Sequence, residues 1–319
     1  MRDFDGGRSV AKRRRFDDDD SHFQKRFSRE APEAEVDTWE LAELGGADRW
    51  STWDEPQAGE RGPQPYPDWL VTELAAKDTE LGILKTGKEA DVFLIARAVP
   101  DTDRSCLLAA KRYRSAQKRL FHRDAGYLEG RRVRESRDNR AMAKRTTVGM
   151  QMIAGQWARA EFNALCSLYS LGVPVPYPVQ IIGTEVLEEF IGDPDTQQAA
   201  PRLAQIRSSD ADLGDLWDQL VAATSLLARA GFAHGDLSAY NLLVHHGRLV
   251  LIDLPQIVDV VANPQGREFL TRDAMNVATW FKSRGLDVSG EDLAAELIAE
   301  AGISVGPRPG AGGQRPVSG

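Results

Sequence analysis

Cysteine is almost missing from this chain of 319 residues. Cys106 and Cys166 are the only two, too few for a disulfide framework or a cysteine-based zinc site, and such usage suits a reducing compartment. Long apolar runs are missing as well: none approaches the ~20 residues that span a bilayer. The first twenty residues, MRDFDGGRSVAKRRRFDDDD, lack the apolar stretch of a signal peptide. Together these absences exclude a membrane protein and a disulfide-stapled scaffold, and they predict a cytoplasmic location. A complete Walker A sequence is absent too, because Glu89 and not a serine or threonine follows the Gly87-Lys88 pair. What remains is 42% apolar and 28% charged residues with a net charge of −8, the composition of an ordinary globular chain that needs no metal or disulfide staple.

The charge is unevenly spread. Residues 1–68 carry a net charge of −6, whereas residues 111–145 carry +9. Residues 1–65 combine the basic cluster Lys12 to Arg15 with the acidic run Asp17 to Asp20 and show no apolar periodicity, so they read as a disordered charged tail in which Trp39, Trp50 and Trp53 are incidental. The end of the chain, residues 306–319, reads as a flexible tail. Between the tails the pattern predicts a short helix near Trp69 to Ala76 and then three antiparallel strands ending in CLLAAKRY. A helix with one buried face follows over 150–172, stopped by Pro174, Pro176 and Pro178. A further strand pair follows in PVQIIG and EVLEEFIG. The second half changes period: a helical stripe from Leu213 to Leu227, a hairpin across His245-His246-Gly247, then helices over 267–284 and 290–302. The expected architecture is α+β, with a β-rich N-lobe over 66–190 containing one main helix and a basic insertion at 112–148. A mostly α-helical C-lobe covers 191–305.

The sharpest chemical signal is His234-Gly235-Asp236-Leu237-Ser238-Ala239-Tyr240-Asn241, with Asp253 twelve residues further on. The loop offers Asp236 and Asn241, and the second strand of the hairpin returns Asp253 to the same end, giving oxygen ligands suited to Mg²⁺ with its phosphates. Phosphoryl transfer needs little more than a carboxylate near the acceptor, the metal across the phosphates and a cation to neutralise charge. Lys111, at the end of a strand, supplies that cation, and Glu161 on the following helix is its expected partner. The turn from Leu84 to Val92 lies where a phosphate-covering loop belongs, so the backbone at Gly87 and the side chain of Lys88 are candidates for phosphate contact. His234 reads as a brace for the loop rather than a proton carrier, and His245 and His246 as a turn.

The turn Lys85 to Val92, the segment His234 to Asn241 and Ile252-Asp253 together resemble the RIO family of atypical serine/threonine protein kinases, closest to its type-1 branch. The likeness covers roughly residues 66–285. It implies a two-lobed protein-kinase-like fold with ATP and Mg²⁺ as cofactors. It also implies Lys111 as the phosphate lysine paired to Glu161, Asp236 as catalytic base, and Asn241 and Asp253 as metal ligands. By the same resemblance Asp253 can accept phosphate, Gly87, Lys88 and Val92 line the nucleotide, and the backbone from Glu189 to Ile191 holds adenine. This chain departs from the pattern at Glu188, where the family has an apolar residue at the back of the adenine pocket.

Three functions stay open on the sequence. The first is a serine/threonine protein kinase or ATPase, acting on a protein or on itself, with the resemblance pointing to ribosome assembly. The second is a small-molecule phosphotransferase of aminoglycoside-kinase type, disfavoured because 66 residues after Asp253 leave little room for an acceptor pocket. The third is a nucleotide-gated switch that binds RNA or ribosomal particles through Arg131 to Arg145. Base stacking is not supported there, since Phe121 and Tyr127 are the only aromatics between Arg114 and Arg145.

Overall fold

A computed structural model describes residues 48–87, 89–114, 147–255 and 257–303. The tail up to residue 47, Lys88, the basic segment 115–146 and the end from residue 304 lie outside the described residues.

The first half is a six-stranded antiparallel sheet. Its strands are β1 (Asp48–Trp50), β2 (Lys77–Thr86), β3 (Ala90–Ala98), β4 (Ser105–Tyr113), β5 (Pro178–Ile182) and β6 (Glu185–Glu189), in the order β1-β2-β3-β4-β6-β5. The β2–β3 turn is tight. Gly87 donates its N–H to the Ala90 carbonyl, and a Cβ at Gly87 would stand 2.8 Å from that oxygen, so only glycine fits.

Helix α1 (Thr147–Ser170) packs Ala154, Ala158 and Phe162 against Ala90, Tyr113, Ile181 and Val186 of the sheet's inner face. The i, i+4 spacing of those three helix residues puts them on one face. The helix stops where Gly172 takes φ +78°, letting the Val173 N–H reach the Leu168 carbonyl.

Two expectations are corrected at the outer face. Residues 48–65 are not a loose tail: Trp53 is buried with Leu70, Ile95, Leu108, Tyr177 and Leu187, and the Arg61 guanidinium donates to the Trp53 carbonyl at 2.7 and 3.0 Å. Residues 60–62 exchange backbone hydrogen bonds with Val179 and Ile181. This cover is an extended coil whose buried residues follow no regular period, so periodicity could not reveal it. The helix expected near Trp69 to Ala76 is a pair of turns instead, closed by Leu70 N–H to Pro67 O and Ala76 N–H to Glu73 O. The buried residues there, Leu70, Val71 and Ala76, do not share one helical face. A fully buried ion pair also ties this surface together: Arg97 donates to both oxygens of Asp78 at 2.7 and 2.9 Å, and both side chains are inaccessible to solvent.

The second half is helical around one small hairpin. Short strands β7 (Gly192–Asp193) and β8 (Gln198–Ala199) lead to α2 (Leu213–Arg229). That helix is capped by Asp212, which accepts from the Gly214 and Asp215 N–H groups. After β9 (Phe232–Ala233) come the hairpin β10 (Leu242–His245) and β11 (Arg248–Leu251), then β12 (Val258–Asp259), α3 (Gly266–Lys282) and α4 (Gly290–Glu300). Leu216, Leu220 and Leu227 of α2 meet Val277 and Phe281 of α3, Leu297 of α4 and Leu249 of the hairpin in one core. Each such leucine stabilises the fold by about 2 kcal/mol on burial. This core fixes the base of the loop that carries Asp236.

Candidate active site

The inner face of the sheet presents a row of side chains in register: Lys85 opposite Val92, Val92 opposite Lys111, and Lys111 opposite Val186. One rung along, Ala109 stands opposite Glu188. Helix α1 brings Glu161 over this row. Lys111 Nζ donates to Glu161 Oε1 at 2.5 Å and to Asp253 Oδ1 at 3.1 Å, and the Tyr113 hydroxyl donates to Glu161 Oε2. Glu161 is 2% exposed, so its carboxylate is held by these two donors rather than by water.

Burial alone would lower the Lys111 pKa, but the carboxylates of Glu161 and Asp253 reverse this and hold the ammonium charged well above neutrality. Burial would likewise raise Asp253, yet Lys111 and Lys85 keep its carboxyl below the usual carboxylate range. Asp253 is therefore an ionised oxygen donor, and its backbone sits at φ +66°, a conformation non-glycine residues rarely adopt and one that clusters at functional positions.

The loop bearing Asp236 is tied down from two sides. Asn241 Nδ2 donates to the Asp236 carbonyl at 2.9 Å, while the Ile252 N–H donates to the Asn241 carbonyl at 3.0 Å. From α3, the Asp273 carboxylate accepts the Gly235 N–H at 2.8 Å and the Leu237 N–H at 3.0 Å, and the neighbouring Arg272 donates to the Gly235 carbonyl. Burial raises the Asp273 pKa against these donors and His234. His234 braces the loop as expected, its Nε2 donating to the Ile252 carbonyl at 3.0 Å. Asp236 itself is left exposed between these anchors.

The structure thus joins Lys111, Glu161 and Asp253 directly and links Asp236 to Asn241 through the loop backbone. Val92 sits beside Lys111 in the row, and Gly87 closes the adjacent turn. Lys88 lies outside the described residues. Glu189 turns its side chain away from the row, accepting the Tyr177 N–H at 3.0 Å, and its own N–H is donated to the Tyr177 carbonyl at 2.9 Å, so neither group is open to a ligand. Ile191 follows it, with its carbonyl already engaged by the Ala200 N–H.

Three contributors escaped sequence reasoning. Tyr113 lies two residues beyond Lys111 on the same strand face, a period-2 signal that could have found it. Lys85 required the β2–β3 register, and Asp273 lies 37 residues from Asp236 with no pattern joining them.

For a metal, the donors that fit are the Asp253 carboxylate and the Asn241 side-chain oxygen, both hard. Among the described residues no group of three or more His, Cys, Asp or Glu side chains could hold an ion unaided. That poverty suits Mg²⁺, which takes one or two protein oxygens and completes its shell with water and substrate phosphates.

A RIO domain family model matches residues 104–293, and the chain belongs to that family, the RIO-type serine/threonine kinases, with their protein-kinase-like α+β fold. It is 36% identical over 222 residues to the RIO-type serine/threonine-protein kinase Rio1 of Haloferax volcanii, covering 69% of each chain. It is 30% identical over 228 residues to the serine/threonine-protein kinase RIO1 of Chaetomium thermophilum, covering 69% of this chain and 42% of that one. The chain therefore spans about two fifths of the fungal relative's length. Among solved structures it is similar to the Rio2 kinase–ADP/Mg²⁺–phosphoaspartate complex from Chaetomium thermophilum, with a TM-score of 0.49 and 20% identity over 70% of this chain and 66% of that one. Among the described residues no helix is long and apolar enough to cross a membrane.

Proposed function

We propose that the chain uses ATP with Mg²⁺ to transfer phosphate to a serine or threonine hydroxyl of a protein, itself included, or slowly to water. One observation carries the reading: a largely buried lysine is clamped between the carboxylates Glu161 and Asp253, beside a loop that leaves Asp236 exposed. In this reading Lys111 binds the α- and β-phosphates, with Glu161 and Tyr113 keeping its ammonium aimed at them. Asp253 and Asn241 hold the metal, which supplies charge neutralisation across the phosphates when bound. Asp236 accepts the proton of the attacking hydroxyl, and the Asp273 clamp fixes the height at which it does so. The backbone from Glu189 to Ile191 borders the base.

The N-lobe and C-lobe of this reading are 66–190 and 191–305, with the N-lobe extended to include residues 48–65. The +9 stretch is proposed to contact RNA or a ribosomal particle in the cytoplasm. Dense arginine supports this, and reversing several charges between Arg131 and Arg145 should reduce the salt dependence of RNA binding while sparing ATP binding.

The direct test incubates the full chain with γ-labelled ATP and Mg²⁺ and reads free phosphate and protein-bound label together. Asp236→Ala should bind ATP without turnover, and Asp253→Ala should lose Mg²⁺-dependent binding. Parent-like turnover in both variants would refute the site. Label lost to hydroxylamine would favour a phosphoaspartate at Asp253, whereas stable label would favour hydroxyl acceptors.

A further inference from the structure

The acidic side chains of β6 and the glutamate above them on α1 differ in one respect. Glu185 pairs with Arg49 and Arg112, Glu161 accepts from Lys111 and Tyr113, and Glu189 accepts the Tyr177 N–H. The side chain of Glu188, half-buried on the inner face, has neither hydrogen bond nor ion pair with another described residue. Its electrostatic neighbours are Glu161, Lys111 and Asp253. A carboxyl partly withdrawn from water and without a protein donor keeps its hydrogen-bonding capacity free for a ligand in the cleft.

The register says which part of a ligand. Lys111 and Asp253 occupy the phosphate end, and Glu188 lies diagonally across from Lys111, opposite Ala109. That diagonal is about 7 Å, within reach of long side chains. From Glu188 the chain runs directly through residues 189–191 into the second half. A nucleotide whose phosphates sit at Lys111 and whose base lies towards residues 189–191 turns the base's edge to Glu188.

We propose that Glu188 sets the nucleobase preference of the site, accepting a hydrogen bond from the 6-amine of adenine and disfavouring guanine. This rests on the ATP-site reading above. A carboxyl offers at least one acceptor in either protonation state and at most one donor. Adenine's 6-amine with N7 is a donor beside an acceptor, the pattern a side-chain amide satisfies in a bidentate pair. Guanine presents two acceptors there, O6 and N7, and one of them must face an oxygen lone pair. Burial and Glu161 push the Glu188 carboxyl up to about 8 against the pull of Lys111, so near neutrality it carries the amide-like pattern.

The test measures dissociation constants of the full chain, with Mg²⁺, for ATP, GTP and purine riboside triphosphate, which lacks the 6-amine. The parent should prefer ATP to both by about 10- to 100-fold, the range for hydrogen bonds to a buried polar group. Glu188→Gln, which keeps an acceptor and a donor, should retain that preference within about threefold, whereas Glu188→Met should bring the three constants together. The comparison of ATP with the 6-unsubstituted analogue is made on the parent, so it stands even if a variant fails to fold. A parent that binds ATP and the analogue equally, or an unchanged ATP preference in Glu188→Met, overturns the role of Glu188 and leaves the ATP site intact. A parent that binds no nucleotide overturns both.

Discussion

Replacing Glu161 by glutamine tests the clamp on Lys111 at its most buried point. The side chain keeps its shape and an acceptor but loses its charge, and Lys111 is left with Asp253 as its short carboxylate contact at 3.1 Å. Asp253 is 39% exposed where Glu161 is 2% exposed, so the lysine would follow the more mobile and better hydrated partner. Two unit charges about 4 Å apart interact by on the order of 4 kcal/mol at an effective dielectric of about 20. Part of that returns as the cost of desolvating Glu161 disappears. A net loss of about 2–4 kcal/mol in transition-state stabilisation corresponds to roughly a 30- to 1000-fold fall in kcat/KM for ATP. Initial rates across ATP concentrations, beside thermal melts that confirm folding, would measure it. A folded variant that loses less than about threefold in kcat/KM would mean that Lys111 does not depend on Glu161, and the reasoning from the clamp would fail.

Asp78→Ala should strand the fully buried Arg97, costing about 3–5 kcal/mol and lowering Tm by roughly 6–20 °C; a fall under about 2 °C would refute the pair's role in holding the outer face. Asp273→Asn should cut turnover by about 10- to 100-fold with little change in nucleotide affinity, because it loosens the loop rather than the phosphate site; equal losses in kcat and affinity would refute that division. The Glu188 carboxyl titrates at about 8 in the fold against 4.5 ordinarily, so between those values the folded chain retains a proton that the unfolded chain has released. Its contribution to stability is full below about pH 4.5 and is lost as pH rises towards 8. Melts from pH 5 to 9 should show Glu188→Gln gaining on the parent as pH rises, and parallel curves would contradict the shift.

The parts legible in the sequence were those governed by local pattern. Strands β2 to β4 announced themselves by apolar runs and turn residues, α1 by the three-to-four spacing of Met152, Ile153, Trp157, Ala160, Leu165, Leu168 and Tyr169, and the β10–β11 hairpin by its glycine turn. Asp236, Asn241 and Asp253 were readable because the loop and hairpin that carry them are contiguous. The cover over residues 48–65 was not, since Trp53 is buried by strands 40 to 130 residues away and belongs to no regular element. Asp273 escaped for the same reason: its role exists only once α3 packs beneath the loop. Glu189 was read as part of the connecting stretch, and strand alternation puts its carboxyl on the opposite face from Glu188.

That cover decides what a working fragment of this protein must contain. The family match begins at Arg104, after three of the six strands of the sheet have already been laid down. A recombinant fragment cut there would expose Leu108 and Leu187 to water, remove the Asp78–Arg97 pair altogether and take Val92 from beside Lys111. Expression boundaries, deletion mapping and two-hybrid baits designed from the family match alone would therefore test an aggregating half-sheet. A start upstream of Asp48 keeps the outer face closed.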